Sequence, residues 1–217
     1  MLETDLYMAC IDLRGRRALV VGGTDAALEK TQALVACAAQ VTVVAEELAA
    51  GFDALLASGS VAWERRAYRS ADLDGHLLVI AANGERALDE RVYEEAEARA
   101  MLVNVVDVPD LCNFISPAVA RRGPIAIAVT TSGASPALAQ RIRAEVNDAI
   151  DEPYASLAYL LDQQRAWARD NLPDYASRKS FFASIVGADP DPIGLLRAGD
   201  DDAVARLIET ARQRALG

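Results

Sequence analysis

Histidine and cysteine are scarce in this sequence of 217 residues. His76 is the only histidine, and the three cysteines, Cys10, Cys37 and Cys112, are far apart along the chain. They are too few and too scattered for a disulfide framework or a zinc site, and they favour a reducing, cytoplasmic compartment. A Ser-His-Asp triad would need His76, which lies just before a predicted strand, where we expect a packing or solvated side chain. We therefore predict no metal-ligating residues.

Long apolar runs and an excess of positive charge are also missing. No run reaches the roughly 18 to 20 apolar residues of a membrane helix, although the 52% hydrophobic content supports a substantial core. The N-terminal residues, which include Glu3 and Asp5, lack the basic segment of a secretory signal. A net charge of −10 argues against nucleic-acid binding. It leaves room for a small anionic ligand, because a local basic patch can override the global sign.

A glycine pair stands between an apolar run and an alanine-rich segment with helical spacing. The order is Val20-Val21-Gly22-Gly23-Thr24-Asp25-Ala26-Ala27. A buried strand, a tight glycine turn and a helix start are the parts of a dinucleotide-binding unit, and the exposed amides at such a helix start can hold a pyrophosphate. The candidate cofactor-binding residues of this turn are Gly22, Gly23, Thr24, Asp25 and Ala26.

Strand and helix patterns alternate through the first half of the chain. The apolar spacing predicts strands at residues 17–21, 41–45, 61–66, 77–82 and 102–106, and helices at residues 26–38, 47–57 and 85–100. Such a series predicts an α/β fold with a Rossmann-like, doubly wound parallel sheet that binds its ligand at the carboxyl ends of the strands. Thr24, Asn83 with the adjoining Ala82, and Asp107 all lie at those ends.

The second half has a different character. Three prolines interrupt residues 107–125, an alternating strand is predicted at residues 125–130, and Ser132-Gly133-Ala134 forms a turn. Ser135 and Pro136 are a good helix start, and that helix should run to about Ile150. The remainder is predicted to be helical, at residues 153–170, 175–186, 193–197 and 203–215. The acidic run of residues 200–202 fits a solvated helix N-terminus.

Several ordered segments within residues 5–150 together resemble the precorrin-2 dehydrogenase/sirohydrochlorin ferrochelatase family, the siroheme-synthase module. The resemblance depends on the whole set, because a single glycine fingerprint is weak. Its members are Asp12-Leu-Arg-Gly-Arg16 before the glycine pair, Val41-Thr-Val-Val-Ala45, Tyr68 with Asp72-Leu-Asp-Gly75, Val79-Ile-Ala-Ala82, Asn104-Val-Val-Asp107, Pro109-Asp-Leu-Cys-Asn-Phe114, Pro117-Ala118, Arg121-Arg-Gly-Pro124 and Ile127-Ala-Val-Thr-Thr-Ser-Gly-Ala-Ser-Pro-Ala-Leu-Ala139.

The resemblance implies three parts and one chemistry. The parts are an NAD-binding Rossmann-like domain at residues 1–113, a dimerisation segment at 114–150 that makes a homodimer, and a helical domain at 151–217. The chemistry is the NAD-dependent oxidation of precorrin-2 to sirohydrochlorin, followed in bifunctional members by insertion of ferrous iron. The matching catalytic residue is Asp107, whose carboxylate can take the proton lost as hydride leaves. The alternative is that Asp107 caps the following turn.

The tetrapyrrole substrate carries many carboxylates, so the resemblance also implies local groups that bind anions. The turn residues Ser132, Gly133 and Ser135 match the family's serine-glycine turn, whose helix N-terminus can hold carboxylates. Arg121, Arg122 and Arg141 flank this turn and are the candidate cations. Plain helix capping is the alternative for the serines, and solvated surface positions are the alternative for the arginines.

Three positions depart from the family pattern. Thr24 replaces a glycine, where its side chain would crowd a pyrophosphate and resist a positive φ. Asn83-Gly84 replaces a frequent Thr-Asp pair, and Glu46 replaces a frequent proline. Glu46 lies 24 residues after Gly22, about where an acidic partner of the ribose is expected. Two other readings therefore stay open: a sirohydrochlorin metal chelatase that uses no dinucleotide, and a noncatalytic module that binds tetrapyrrole or assembles with a partner.

Overall fold

The computed structural model describes residues 6–217, so the acidic Glu3 and Asp5 lie outside it. The chain divides into two compact units. The first extends to Ser116 and includes Ser132–Ala134, and the second comprises Pro117–Thr131 and Ser135–Gly217. Within the described residues, none of the helices combines the length and the apolar character needed to cross a membrane. The domain limits at residues 113 and 150 stay a prediction.

The first unit contains a five-stranded sheet in which every pair of neighbours is parallel. The strands lie in the order β3-β2-β1-β4-β5, and the central strands β1 and β4 are buried along almost their whole length, as expected for strands covered on both faces. This confirms the predicted Rossmann-like sheet. Their bounds are β1 Arg17–Val21, β2 Gln40–Val44, β3 Val61–Glu64, β4 Leu78–Ala81 and β5 Leu102–Val105.

Helices cover both faces of this sheet. The predicted helices at residues 26–38 and 85–100 correspond to α1 (Asp25–Ala36) and α3 (Arg86–Glu97). The predicted helix at 47–57 is broken into a 3-10 turn at Ala50–Phe52 and the short α2 (Asp53–Ala57). Alternate strand residues point to opposite faces, so Val20 packs in one core with Phe52, while Leu19 packs in the other.

The strand order reverses at β1. Its neighbours are β2 on one side and β4 on the other, and the connections diverge at such a point to leave a crevice at the carboxyl ends of the strands. In this sheet the crevice lies between the ends of β1 and β4. The residues that follow these two strands therefore determine what the first unit can bind.

His76 lies just before β4, at the amino-terminal ends of the strands, opposite the crevice. Its side chain is only 9% exposed, and neither ring nitrogen has a hydrogen-bond partner among the described residues. Burial lowers the pKa of His76, so the imidazole is neutral at pH 7. The expectation of a packing histidine is confirmed.

The second unit begins with an antiparallel hairpin that the sequence revealed only in part. The predicted strand corresponds to β7 (Ile125–Val129), and it pairs with β6 (Ala118–Arg122), which was not predicted. Gly123 makes the turn with φ +53°, and a side chain there would lie 2.9 Å from the Cβ atom of Ala155. Helix α4 (Pro136–Ala149) contacts both strands.

Four further helices complete the second unit as predicted. They are α5 (Glu152–Asn171), α6 (Tyr175–Val186), α7 (Pro192–Arg197) and α8 (Asp201–Leu216). Their core centres on Phe181, whose ring lies 5.0 Å from that of Trp167. The acidic run starts α8: Asp200 accepts a hydrogen bond from the amide of Ala203 at 2.9 Å. The interpretation of residues 200–202 as a helix N-terminus is confirmed.

Candidate active site

The glycine pair after β1 is required by packing alone. A Cβ atom at Gly22 would lie 2.8 Å from the amide nitrogen of Asn83, and Gly22 has φ +125°. A Cβ atom at Gly23 would overlap the carbonyl oxygen of Glu47. The turn is therefore wedged, backbone against backbone, between the residue that follows β4 and the segment that follows β2. Only glycine fits at these two positions.

Thr24 is a capping residue in ordinary extended backbone. Its φ is −72°, so the expected difficulty with positive φ is wrong: the position does not require it. The hydroxyl accepts a hydrogen bond from the amide of Ala27 at 3.2 Å and donates one to the carbonyl oxygen of Ala82 at 2.8 Å. This second bond joins the ends of β1 and β4 across the crevice. The amides of Asp25 and Ala26 precede the intrahelical ladder of α1 and are left to bind an anion.

Asn83 is held at both ends of its side-chain amide. Its Nδ2 donates to Oδ1 of Asp89 at 2.7 Å, and its Oδ1 accepts from the amide of Glu85 at 2.7 Å. Burial raises the pKa of Asp89. Glu46 lies just beyond β2 with an exposed side chain, which leaves its carboxylate available at the carboxyl end of the strand.

Asp107 lies in the turn after β5 in a left-handed conformation, with φ +62°. Such a conformation costs a residue other than glycine about 1 kcal/mol. The side chain is exposed, and within the described part of the chain no donor bonds to its carboxylate. The turn-capping alternative therefore has no hydrogen bond to support it. The carboxylate is free to accept a proton.

Cys112 braces the turn that carries Asp107. Its sulfur accepts a hydrogen bond from the amide of Val105 at 3.3 Å, and its thiol lies 3.3 Å from the carbonyl oxygen of Val108. Burial raises the pKa of Cys112, so the thiol stays protonated and can donate. From the sequence alone, Cys112 can be interpreted only as a small buried hydrophobic residue. The backbone contacts of its thiol leave no pattern in the sequence.

Two asparagines fix the segment that returns from this turn. Asn104 donates from Nδ2 to the carbonyl oxygen of Phe114 at 3.0 Å. Asn113 accepts from the amide of Val103 at 2.8 Å and donates to the carbonyl oxygen of Met101 at 2.7 Å. The returning end of the loop is thus tied to β5 and to the residue before it, and Asp107 is the second residue after the end of β5.

The serine-glycine turn has its own internal bracing. Ser132 and Gly133 both have positive φ, at +50° and +84°. Ser135 caps α4, because its hydroxyl accepts from the amide of Leu138 at 3.2 Å. The hydroxyl of Thr131, which the sequence did not single out, bonds both the amide and the carbonyl oxygen of Ser135 at 3.0 Å. The capping role of Ser135 is confirmed, and anion binding stays a prediction.

The three candidate arginines have different surroundings. Arg122 donates to the carbonyl oxygens of Ile150 and Asn147, at 3.1 and 3.4 Å. Its positive charge stabilises the C-terminus of α4 by interacting with the helix dipole. Arg141 is exposed and pairs with Glu145 at 2.9 Å. Arg121 also has an interaction partner. Their role as substrate cations stays a prediction. Within residues 6–217 no three His, Cys, Asp or Glu side chains are grouped to hold a metal ion.

A five-stranded parallel sheet with this glycine turn and helix N-terminus defines a dinucleotide-binding protein of the Rossmann type. The sequence model described as "Putative NAD(P)-binding" matches residues 9–118, and the model described as "Sirohaem biosynthesis protein central" matches residues 122–149. The chain belongs to the precorrin-2 dehydrogenase/sirohydrochlorin ferrochelatase family, whose members share these two regions.

Individual relatives support this assignment. A siroheme synthase of Thioalkalivibrio sulfidiphilus (strain HL-EbGR7) is 35% identical over 98% of this chain, and one of Pseudomonas fluorescens (strain Pf0-1) is 40% identical over 80% of it. The chain covers only 43% and 38% of those proteins. The solved structure of SirC, precorrin-2 dehydrogenase, matches with a TM-score of 0.76 at 24% identity, over 94% of this chain and all of that one. That likeness establishes the fold.

Substitutions at Thr24 separate crowding from capping. Thr24→Val keeps the shape and removes both hydrogen bonds, so we expect NAD to bind about five- to tenfold more weakly. Thr24→Ser keeps the bonds and removes the methyl group, so it should bind NAD at least as well as the wild type. Thr24→Gly removes both features. If the methyl group instead crowds the pyrophosphate, the Thr24→Ser and Thr24→Gly variants will both bind NAD more tightly than the wild type in a calorimetric titration.

Proposed function

We propose that the protein is an NAD-dependent precorrin-2 dehydrogenase, which oxidises precorrin-2 to sirohydrochlorin in siroheme biosynthesis. The observation that carries this proposal is the unpaired carboxylate of Asp107, held in a strained turn at the carboxyl end of β5. The ends of β4 and β5 adjoin, because the amide of Val106 donates to the carbonyl oxygen of Ala81 at 2.9 Å. Asp107 thus follows the strand next to the one that borders the dinucleotide crevice.

The residues present fit a dinucleotide. Gly22 and Gly23 add no side chain to the turn, and the amides of Asp25 and Ala26 can receive the pyrophosphate. NAD, when bound, supplies the hydride acceptor. Asp107 accepts the second proton that the substrate loses, so that a hydride and a proton, together two electrons and two protons, leave the tetrapyrrole. Ser132, Gly133 and Ser135, and separately Arg121, Arg122 and Arg141, are the groups proposed to bind substrate carboxylates.

Tryptophan fluorescence offers a direct test of the dinucleotide site. Trp63 is half-buried and donates from Nε1 to the carbonyl oxygen of Ala45 at 2.9 Å, next to Glu46. Trp167, the second tryptophan, lies in the other unit. Titrating the Trp167→Phe variant with NADH should quench Trp63 saturably, and the protein should turn over precorrin-2 with NAD. Absence of both signals would reject the proposal.

We expect the site to prefer NAD to NADP, because the exposed carboxylate of Glu46 can bond a ribose 2′-hydroxyl and repels a 2′-phosphate. Glu46→Arg should reverse this preference, by about tenfold or more in the ratio of the two dissociation constants. Glu94→Arg makes the same charge change at an exposed position on α3 and is the matched control. An unchanged ratio in Glu46→Arg would exclude Glu46 as the ribose partner.

Insertion of ferrous iron into sirohydrochlorin is a second proposed activity, with iron as a substrate. The same exposed carboxylate supports it, because Asp107 can strip pyrrole protons without any dinucleotide. Incubation of sirohydrochlorin and ferrous iron with the protein, without NAD, should then give siroheme faster than the protein-free mixture. Equal rates would leave the dehydrogenase as the sole activity. The proposed location is a reducing cytoplasm, since none of the three cysteines forms a disulfide among the described residues.

We propose a homodimer formed through residues 114–150. A two-stranded sheet is marginal alone and leaves edges unpaired, and the isoleucines and valine of β7 are only half-buried in one chain. Leu138 on α4 is also 48% exposed. Light scattering should therefore give twice the chain mass of 23.2 kDa. A monomer at micromolar concentration would overturn this expectation.

A further inference from the structure

We propose that Asp89 is a positioning residue for the dinucleotide site, which acts by fixing Asn83 and the turn after β4. The inference rests on the proposed function, because it assigns a role within the same crevice. Asp89 lies on α3, behind the turn, rather than in the turn itself.

The first argument is the place of this carboxyl group. Asp89 is only 5% exposed, and it shares one face of α3 with Val92 and Ala96, which belong to the core. An apolar residue would pack at this position without loss, whereas a buried carboxyl group costs free energy unless it is hydrogen bonded. Within the described residues, Asn83 is the one side chain that bonds to it. That hydrogen bond offsets only part of the cost, because burial still raises the pKa of Asp89.

The second argument is what Asn83 touches. The backbone nitrogen of Asn83 and the adjoining carbonyl group of Ala82 form the surface against which Gly22 packs. The same carbonyl oxygen accepts the bond from Thr24. A continuous series of contacts therefore runs from Asp89 through Asn83 and Ala82 to the turn that receives the pyrophosphate. Without Asp89, the side-chain amide of Asn83 loses its hydrogen bond to α3. The backbone of Ala82 and Asn83, which forms the β4 side of the crevice, is then free to shift.

The test compares three variants by NADH titration, melting temperature and precorrin-2 turnover. Asp89→Ala should weaken NADH binding about tenfold. Asp89→Asn should restore binding to within about twofold of the wild type, because its amide oxygen still accepts from Asn83. Glu94→Ala removes an exposed carboxylate from the same helix and should bind as the wild type does. Rescue by asparagine distinguishes positioning from a general loss of stability.

A double-mutant cycle keeps the proposal testable if Asp89→Ala folds poorly. Asp89→Leu fills the same space without accepting from Asn83, so Asn83→Ala, Asp89→Leu and their combination should show that the effects on NADH binding are not additive. Wild-type binding in Asp89→Ala, equal impairment of the asparagine and alanine variants, or full additivity would each overturn the inference. Failure of the wild-type protein to bind NADH would instead overturn the proposed function.

Discussion

Asp107→Asn is expected to lower precorrin-2 turnover by about 10²- to 10⁴-fold, the usual contribution of a general base. Asparagine is the informative replacement because it tolerates the left-handed φ of +62°, whereas alanine would add backbone strain to the chemical loss. The carboxylate has no hydrogen-bond partner among the described residues. The melting temperature and the dissociation constant for NADH should therefore stay at wild-type values.

Asp110→Asn is the matched control for this prediction. Asp110 is also exposed and lies in the 3-10 turn just after Asp107, so the variant makes the same chemical change nearby. It should retain wild-type turnover. Full activity of Asp107→Asn, with NAD and precorrin-2 both saturating, would remove Asp107 from the mechanism.

Gly23→Ala is expected to cost about 3 kcal/mol or more of folding free energy and to abolish binding of NADH. The new Cβ atom would overlap the carbonyl oxygen of Glu47, and it would lie 3.0 Å from Cδ2 of Leu48. A backbone carbonyl cannot move aside by changing rotamer, so the end of β2 or the glycine turn itself must be displaced. Urea unfolding and fluorescence titration measure the two effects.

Gly59→Ala provides the comparison for steric overlap. Gly59 has φ +69°, and no atom lies within 4 Å of the place that a Cβ atom would take. Its replacement should therefore cost only about 1 kcal/mol of backbone strain and leave NADH binding intact. If Gly23→Ala is no worse than Gly59→Ala, then the close packing of the glycine turn on β2 is not what limits the site.

Local patterns were sufficient for the parallel sheet but not for the hairpin. The strands of the sheet are continuous apolar runs between helical segments, so both their type and their parallel pairing follow from the sequence. Strand β6 contains two arginines and lies between Pro117 and Pro124, and it becomes a strand through pairing with β7. Such pairing energy is nonlocal, and a short window of sequence does not contain it.

The same limit applies to the site. The glycine pair, Asp107 and Ser135 could be recognised from neighbouring residues and from the family pattern. The conformation of Thr24 could not, because it depends on a carbonyl group 58 residues away. Asp89 stands among many charged residues in the sequence of α3, yet it lies on the face of the helix that packs into the core. Both contacts arise from tertiary packing and leave no periodic signal.

The half-buried thiol of Cys112 can report the opening of the loop that carries Asp107. Cys10 is exposed and should react at once with a maleimide or an aromatic disulfide. Cys112 can react only when its contacts with Val105 and Val108 separate. The rate at which Cys112 is labelled therefore measures how often the loop opens. If activity is lost at the same rate as Cys112 is labelled, the cause is displacement of the Asp107 carboxylate and not the loss of a nucleophilic cysteine.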